Sequence, residues 1–307
     1  MTATPLLGVL PVLQTPFGAR GELDLDVLAQ EVDWVLDQGV AGVTTGMVSE
    51  LLRLTESERT VLTEVVVSVA RRRGAISVIS CGAESTRTSV AMARHAAEAG
   101  ADAVMINPPL TAALDAGELA KHFSAIVEAI SIPMVVQDAS GYVGQPLSLN
   151  LQLSLLDRYP DQVYFKPEAS PIGQRLSRLR DLTGGRARIL EGTGGAALLD
   201  SYRRGIVGTM PGAEVCWAVQ RLWSCLESGD WPTAYRLSGI LNAMIGMQTS
   251  LDAFVAVEKH LLVRQGVFTS SAVRTPSSFL LDAETGAEID RLFDLLVEAA
   301  AEPAEVA

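Results

Sequence analysis

Ile76-Ser77-Val78-Ile79-Ser80, a helical stretch from 85 to 99 stopped by Gly100, and Ala103-Val104-Met105-Ile106 closed by Asn107-Pro108-Pro109 form one strand–helix–strand unit. Both strands are mainly apolar and do not alternate strictly with charged residues, as parallel strands buried on both faces are expected to be. The same unit recurs along the chain. Strands are predicted at 6–13, 40–45, 133–137, 163–166, 187–190 and 206–210, with helices at 24–37, 55–73, 115–130, 147–159, 172–182 and 196–204. Thr55 and Glu58 have capping-box spacing, and Gly39 stops the first helix. A doubly wound sheet would carry a glycine-rich turn after its first strand, but that turn is Gln14-Thr15-Pro16-Phe17. The pattern therefore predicts an α/β protein, a (β/α)8 TIM barrel over residues 1–212. Helices at 214–228, 233–247, 253–265 and 287–301 make a C-terminal helical extension over 213–301, and 302–307 reads as a flexible tail.

Composition narrows the function. The 307 residues are 48% hydrophobic, and no run of roughly 18 uncharged apolar residues appears, so no membrane span is expected. A net charge of -12 disfavours nucleic acid and anionic membranes as partners. Cys81, Cys216 and Cys225 are odd in number and form no CxxC pair, so neither disulfides nor a structural zinc site is expected. His95, His122 and His260 are scattered singly on helical segments, and no metal ligand set is assigned. Arg71-Arg72-Arg73 falls where a helix ends, where cations complement the helix dipole. The N-terminus lacks the basic region of a signal peptide. A soluble cytoplasmic protein is expected.

The chemistry centres on Lys166. Only three lysines occur, and Lys121 and Lys259 lie in segments that read as amphipathic helices. Lys166 ends the strand Val163-Tyr164-Phe165-Lys166, at the strand end where such barrels gather their active sites. An amine desolvated there can attack a ketone, although a packed stem with a solvated head is the alternative. The same rule collects Ser49, Glu50, Asn107, Gln137, Asp138, Glu168, Gly192 and Thr209 on one face. An amine among carboxylates and amides suits a Schiff base with a small-molecule 2-keto acid, needing no other cofactor. Glu50 has a second reading as a strut of the barrel mouth, and Glu168 as the partner of a nearby arginine. The turn Gly192-Thr193-Gly194-Gly195 either offers backbone N–H groups to a substrate carboxylate or is simply a tight turn.

The chain resembles the dihydrodipicolinate synthase / N-acetylneuraminate lyase family of Schiff-base barrels. The resemblance runs from Gly8-Val9-Leu10-Pro11-Val12-Leu13-Gln14-Thr15-Pro16-Phe17 through Gly46-Met47-Val48-Ser49-Glu50, Ala99-Gly100-Ala101-Asp102-Ala103, Ile132-Pro133, Lys166 and Gly205-Ile206-Val207-Gly208 to Arg274-Thr275-Pro276. It implies that Lys166 is the Schiff-base lysine and that the protein is a homodimer or homotetramer. The chain also departs from the family. Gln137 stands where the family's strand-five tyrosine is expected, Tyr142 where the synthases carry an arginine, and Pro109-Leu110 where a tyrosine pair is usual. The hydroxyl pair of the Gly-Thr-Thr-Gly-Glu loop is absent from Gly46-Met47-Val48-Ser49-Glu50. The usual proton relay therefore cannot operate. Val135-Val136-Gln137-Asp138 and Tyr164-Phe165-Lys166 look more like the branch that includes 2-keto-3-deoxyarabonate dehydratases.

The expected function is a Schiff-base lyase that dehydrates a 2-keto-3-deoxy sugar acid. Lys166, Gln137, Glu168 and Tyr142 are the catalytic candidates. Ser49, Glu50, Asn107, Asp138, Gly192 and Thr209 are the substrate-binding candidates. The alternatives are a pyruvate-dependent aldolase or condensing enzyme using Gln137 or Tyr142, and a catalytically silent member with a binding role.

Overall fold

A computed structural model describes residues 4–141 and 143–301. Its eight strands are β1 (Gly8–Val9), β2 (Gly42–Thr44), β3 (Ile76–Ser80), β4 (Ala103–Ile106), β5 (Met134–Gln137), β6 (Val163–Lys166), β7 (Leu190–Glu191) and β8 (Gly208–Thr209). All pair in parallel, in the orders β1-β8-β7 and β2-β3-β4-β5-β6. Parallel bridges between Val12 and Thr44 and between Phe165 and Ile189 join the two sets and close the barrel. The expected (β/α)8 architecture is borne out.

The central strands carry apolar residues on both faces because both faces are buried, each against a different layer. Val78, Met105, Val135 and Tyr164 point into the barrel, where they pack with Leu10, Leu190 and Met210. Their neighbours Ile79, Val104, Val136 and Phe165 point outward to the helices. β1, β7 and β8 are only two residues long, and β7 lies later than the predicted 187–190. Glycine lets these strands approach: a Cβ on Gly208 would lie 2.5 Å from Gly8 O.

Helices α1 (Leu25–Asp37), α2 (Glu56–Arg72), α3 (Thr86–Ala99), α4 (Ala116–Val127), α5 (Leu149–Arg158), α6 (Ile172–Leu182) and α7 (Leu198–Arg203) wrap the barrel. The capping box at α2 forms: Thr55 Oγ1 accepts from Glu58 N at 3.2 Å, and Glu58 Oε2 accepts from Thr55 N at 2.8 Å. α3 stops at Gly100, whose φ of 99° places it in the left-handed region. Arg73, just past α2, pairs with Asp33 at 2.8 Å and Asp37 at 2.6 Å on α1.

The predicted domain boundary at 212/213 falls before α8 (Cys216–Ser228), which packs on β1 in the place of the eighth barrel helix. The added layer is α9 (Trp231–Ile245), α10 (Leu251–Arg264) and α11 (Ala283–Ala301), and it shares one core with the barrel's outer layer. The apolar stretch 237–247 is covered by the chain itself, with Leu237, Leu241 and Met244 all fully buried. α10 lies across the barrel mouth, against the 3-10 turns Met47–Ser49 and Ala213–Val215. That placement makes it part of the site. The predicted tail, 302–307, lies outside the described residues. Among the described residues no helix is long and apolar enough to cross a membrane.

Candidate active site at the barrel mouth

Lys166 is the last residue of β6, and its side chain follows Tyr164 into the barrel. It is 5% exposed, so its head is enclosed instead of solvated. Its register partner on β5 is Gln137, which by the same alternation follows Val135 inward. Beyond the strand end, Glu168 joins the two. Lys166 Nζ donates to Glu168 Oε1 at 2.9 Å, and Gln137 Nε2 donates to Glu168 Oε2 at 3.0 Å. All three side chains are buried. Both carboxylate oxygens are therefore engaged, while the buried Gln137 Oε1 has no partner among the described residues.

Lys166 and Gln137 line a cavity of about 30 Å³ whose wall is glycine on several sides. A Cβ on Gly192 would lie 2.8 Å from Lys166 Cε and 2.9 Å from Glu168 Oε1. One on Gly46 would lie 2.8 Å from Val12 Cγ1. These glycines keep open the space in front of the amine. Gly194 and Gly195, with φ of 68° and 102°, turn the chain from β7 toward α7, and Gly194 also borders the cavity. An enclosed amine in contact with a carboxylate can add to a carbonyl and pass protons locally.

The other expected site residues are placed as follows. Gly192 lines the cavity. Ser49 Oγ accepts from Gly46 N at 2.9 Å and donates to Leu13 O, fastening the loop after β2. Glu50 is turned away from the cavity: it sits at φ 56°, bound to Lys259 Nζ and to Arg274 N, the latter at 2.7 Å. It ties the β2 loop to α10 and to the segment before α11, as its reading as a strut anticipates. Asn107 donates to Pro108 O at 2.9 Å and packs on Gly82. Asp138 accepts from Ser140 Oγ at 2.5 Å and Leu147 N at 3.2 Å, organising the loop after β5, and burial raises its pKa. Thr209 Oγ1 donates to Glu191 Oε2 at 2.7 Å, linking β8 to β7. Tyr142 lies outside the described residues.

One group was missed in the sequence. Glu258, on α10, lines the same cavity and is buried, and its Oε2 accepts from Gln14 Nε2. Gln14 N donates to Glu31 Oε1 at 2.8 Å, so one residue connects two buried carboxyl groups. Glu214 is the third, since a Cβ on Gly212 would lie 2.2 Å from its Oε2 and 2.9 Å from Glu258 Oε1. Burial pushes all three pKa values up, Glu214 to about 7 and the other two well above the usual carboxylate range. For Glu258 the like charges of Glu214 and Glu31 add to burial, and Lys166 opposes them. Lys259, the next residue, has its pKa lowered by burial, with Glu50 opposing.

Comparison with known proteins identifies the family. The profile of the dihydrodipicolinate synthetase family matches residues 5–290. A 4-hydroxy-tetrahydrodipicolinate synthase of Bartonella quintana (strain Toulouse) is 29% identical over 241 residues, 77% of this chain and 80% of its own. An L-2-keto-3-deoxyarabonate dehydratase of Azospirillum brasilense is 26% identical over 274 residues, 88% of each chain. A solved prophage protein of the dihydrodipicolinic acid synthase family from E. coli K12, in complex with pyruvate, superimposes with a TM-score of 0.88 at 23% identity, covering 96% of this chain and 99% of its own. The match spans nearly the whole barrel and its helical extension, and the chain belongs to the dihydrodipicolinate synthetase family, as a lyase.

Proposed function

We propose that Lys166 forms a Schiff base with a small 2-keto acid and that the enzyme dehydrates a 2-keto-3-deoxy sugar acid. The observation that carries this reading is the enclosed contact between Lys166 Nζ and Glu168 Oε1, with Gln137 on the adjoining strand. The free amine adds to the C2 carbonyl and, after loss of water, leaves an iminium that withdraws electrons from C3. Glu168, in contact with Lys166 Nζ, takes the C3 proton. The resulting enamine expels the C4 hydroxyl, which leaves as water with a proton supplied from the cavity. Retro-aldol cleavage would instead need a base on the C4 hydroxyl. Gln137, at the position of the family's tyrosine, has no titratable proton and cannot be that base. Its unpartnered Oε1 suits acceptance of a substrate hydroxyl's hydrogen bond. The likeness to the Azospirillum dehydratase favours the same choice.

Borohydride reduction in the presence of pyruvate or 2-keto-3-deoxyarabonate tests the proposal. A mass increment on the peptide carrying Lys166 is expected, and its absence with every 2-keto acid would leave a silent binding protein. Pyruvate release dominating over dehydration would move the assignment to the aldolase alternative. We also propose a cytoplasmic homo-oligomer. The family resemblance supports the assembly, and three buried free thiols fit a reducing compartment. Light scattering that shows a monomer at micromolar concentration would count against the assembly.

A further inference from the structure

Iminium formation from a free amine consumes one proton. The carbonyl oxygen leaves as water with one hydrogen from Nζ and one from an acid, and a cation remains on the nitrogen. Gln137 has no proton to give, both oxygens of Glu168 are bound, and Glu50 is committed to Lys259 and Arg274 N. Besides Glu168, which touches Nζ and is assigned the C3 proton, Lys166 and Glu258 are the titratable side chains among the described residues that line the cavity.

We infer that Glu258 is the acid that expels water when Lys166 forms its imine, and that the carboxylate left behind is the counter-ion of the iminium. This rests on the Schiff-base reading above and assigns that site a residue from outside the barrel strands. The geometry is specific. α10 spans the mouth and delivers Glu258 to the cavity wall. Gln14 Nε2 fixes Oε2, and Oε1 shares with Glu214 Oε2 the space over Gly212. Glu31, Glu214 and Glu258 are all buried and linked through Gln14 and the space over Gly212, and their like charges oppose one another's ionisation. Burial and the neighbouring carboxyl groups favour the protonated form of Glu258, with Lys166 opposing them. Starting from the deprotonated amine, the cation created on Nζ compensates the charge created on Glu258. Glu214 Oε2, which has no partner among the described residues, lies beside Glu258 as a second carboxyl group through which a proton can be shared. Hydrolysis of the product imine runs the step in reverse and returns the proton to Glu258.

The experiment follows adduct formation with pyruvate by borohydride quenching at increasing times and intact mass. Glu258→Gln is nearly isosteric with the protonated acid and can still accept from Gln14. It should reach the wild-type extent of adduct on Lys166 about 10² to 10⁴ times more slowly, the usual contribution of a general acid. A merely structural role would lower the extent or the fold and leave the rate of the surviving fraction unchanged. Glu258→Asp keeps the acid one methylene further back and serves if the glutamine variant does not fold; it should be slower than wild type and faster than Glu258→Gln. Wild-type rates in either variant overturn the assignment of Glu258 and leave the Schiff base standing. No adduct on wild-type Lys166 overturns both.

Discussion

Arginine in place of Lys166 would keep a cation beside Glu168 and remove the cavity's nucleophilic amine. We expect Lys166→Arg to remain folded and to lose turnover of 2-keto-3-deoxyarabonate by on the order of 10³-fold or more, since the covalent intermediate is gone. Near-normal dehydration in that variant would end the proposal. Gln137→Tyr restores the hydroxyl expected on strand five. It should not raise dehydration, and it should expose a weak release of pyruvate, read by coupled assay on the same substrate. A gain in dehydration would show that Gln137 is not an adaptation to this chemistry. Lys166 and Gln137 were both legible because each ends a strand, where alternation and the barrel rule settle which way a side chain faces. Glu50 shows the limit of that rule. Its position after β2 is right, but its left-handed backbone turns the carboxylate toward Lys259 instead of the cavity.

α10 explains why part of the site was hidden. The helix was predicted at 253–265 and runs Leu251–Arg264, so its existence and length were readable. Its burial was not. A helix lying on a barrel surface hides one face, but α10 crosses the mouth and is covered more widely, so the adjacent Glu258 and Lys259 are both enclosed. Helical periodicity assigns such residues to solvent, and only the improbability of burying them singly could have flagged them. The central strands β3, β4 and β6, by contrast, follow the predicted spans because short runs rich in β-branched, aromatic and other apolar residues are at home only in a buried sheet. The Glu50–Lys259 pair carries its own prediction. Both side chains have 0% exposure, and together they hold α10 to the β2 loop. Lys259→Met should destabilise the protein by about 3–5 kcal/mol, because it removes the cation paired with a buried carboxylate, which keeps only the Arg274 N–H. Combining it with Glu50→Gln should recover much of that loss. Chemical denaturation of the single and double variants measures both, and equal stability of Lys259→Met and wild type would refute the tie.

Three carboxyl groups enclosed behind one cavity also make the stability of the protein depend on pH. Glu31, Glu214 and Glu258 all have folded pKa values raised by burial, which reverses the usual carboxylate behaviour. Below the unfolded pKa each group is protonated in both states and has no effect on the balance. As pH rises past that point the unfolded chain ionises while the folded one still holds its protons, so folding loses ground until the folded pKa is reached. For Glu214 the window runs from its ordinary value of 4.5 to about 7. Integrated over that interval the penalty is on the order of 3 kcal/mol. Glu214→Gln has no charge to acquire and should escape it. Relative to wild type, the variant should therefore gain stability between pH 4.5 and pH 8, and relief of the like charge on Glu258 acts in the same direction. Thermal or denaturant unfolding of both proteins at the two pH values measures the difference. A stability gap between variant and wild type that stays constant across this range would mean that Glu214 ionises normally in the folded protein, and that the carboxyl cluster is more hydrated than its burial indicates.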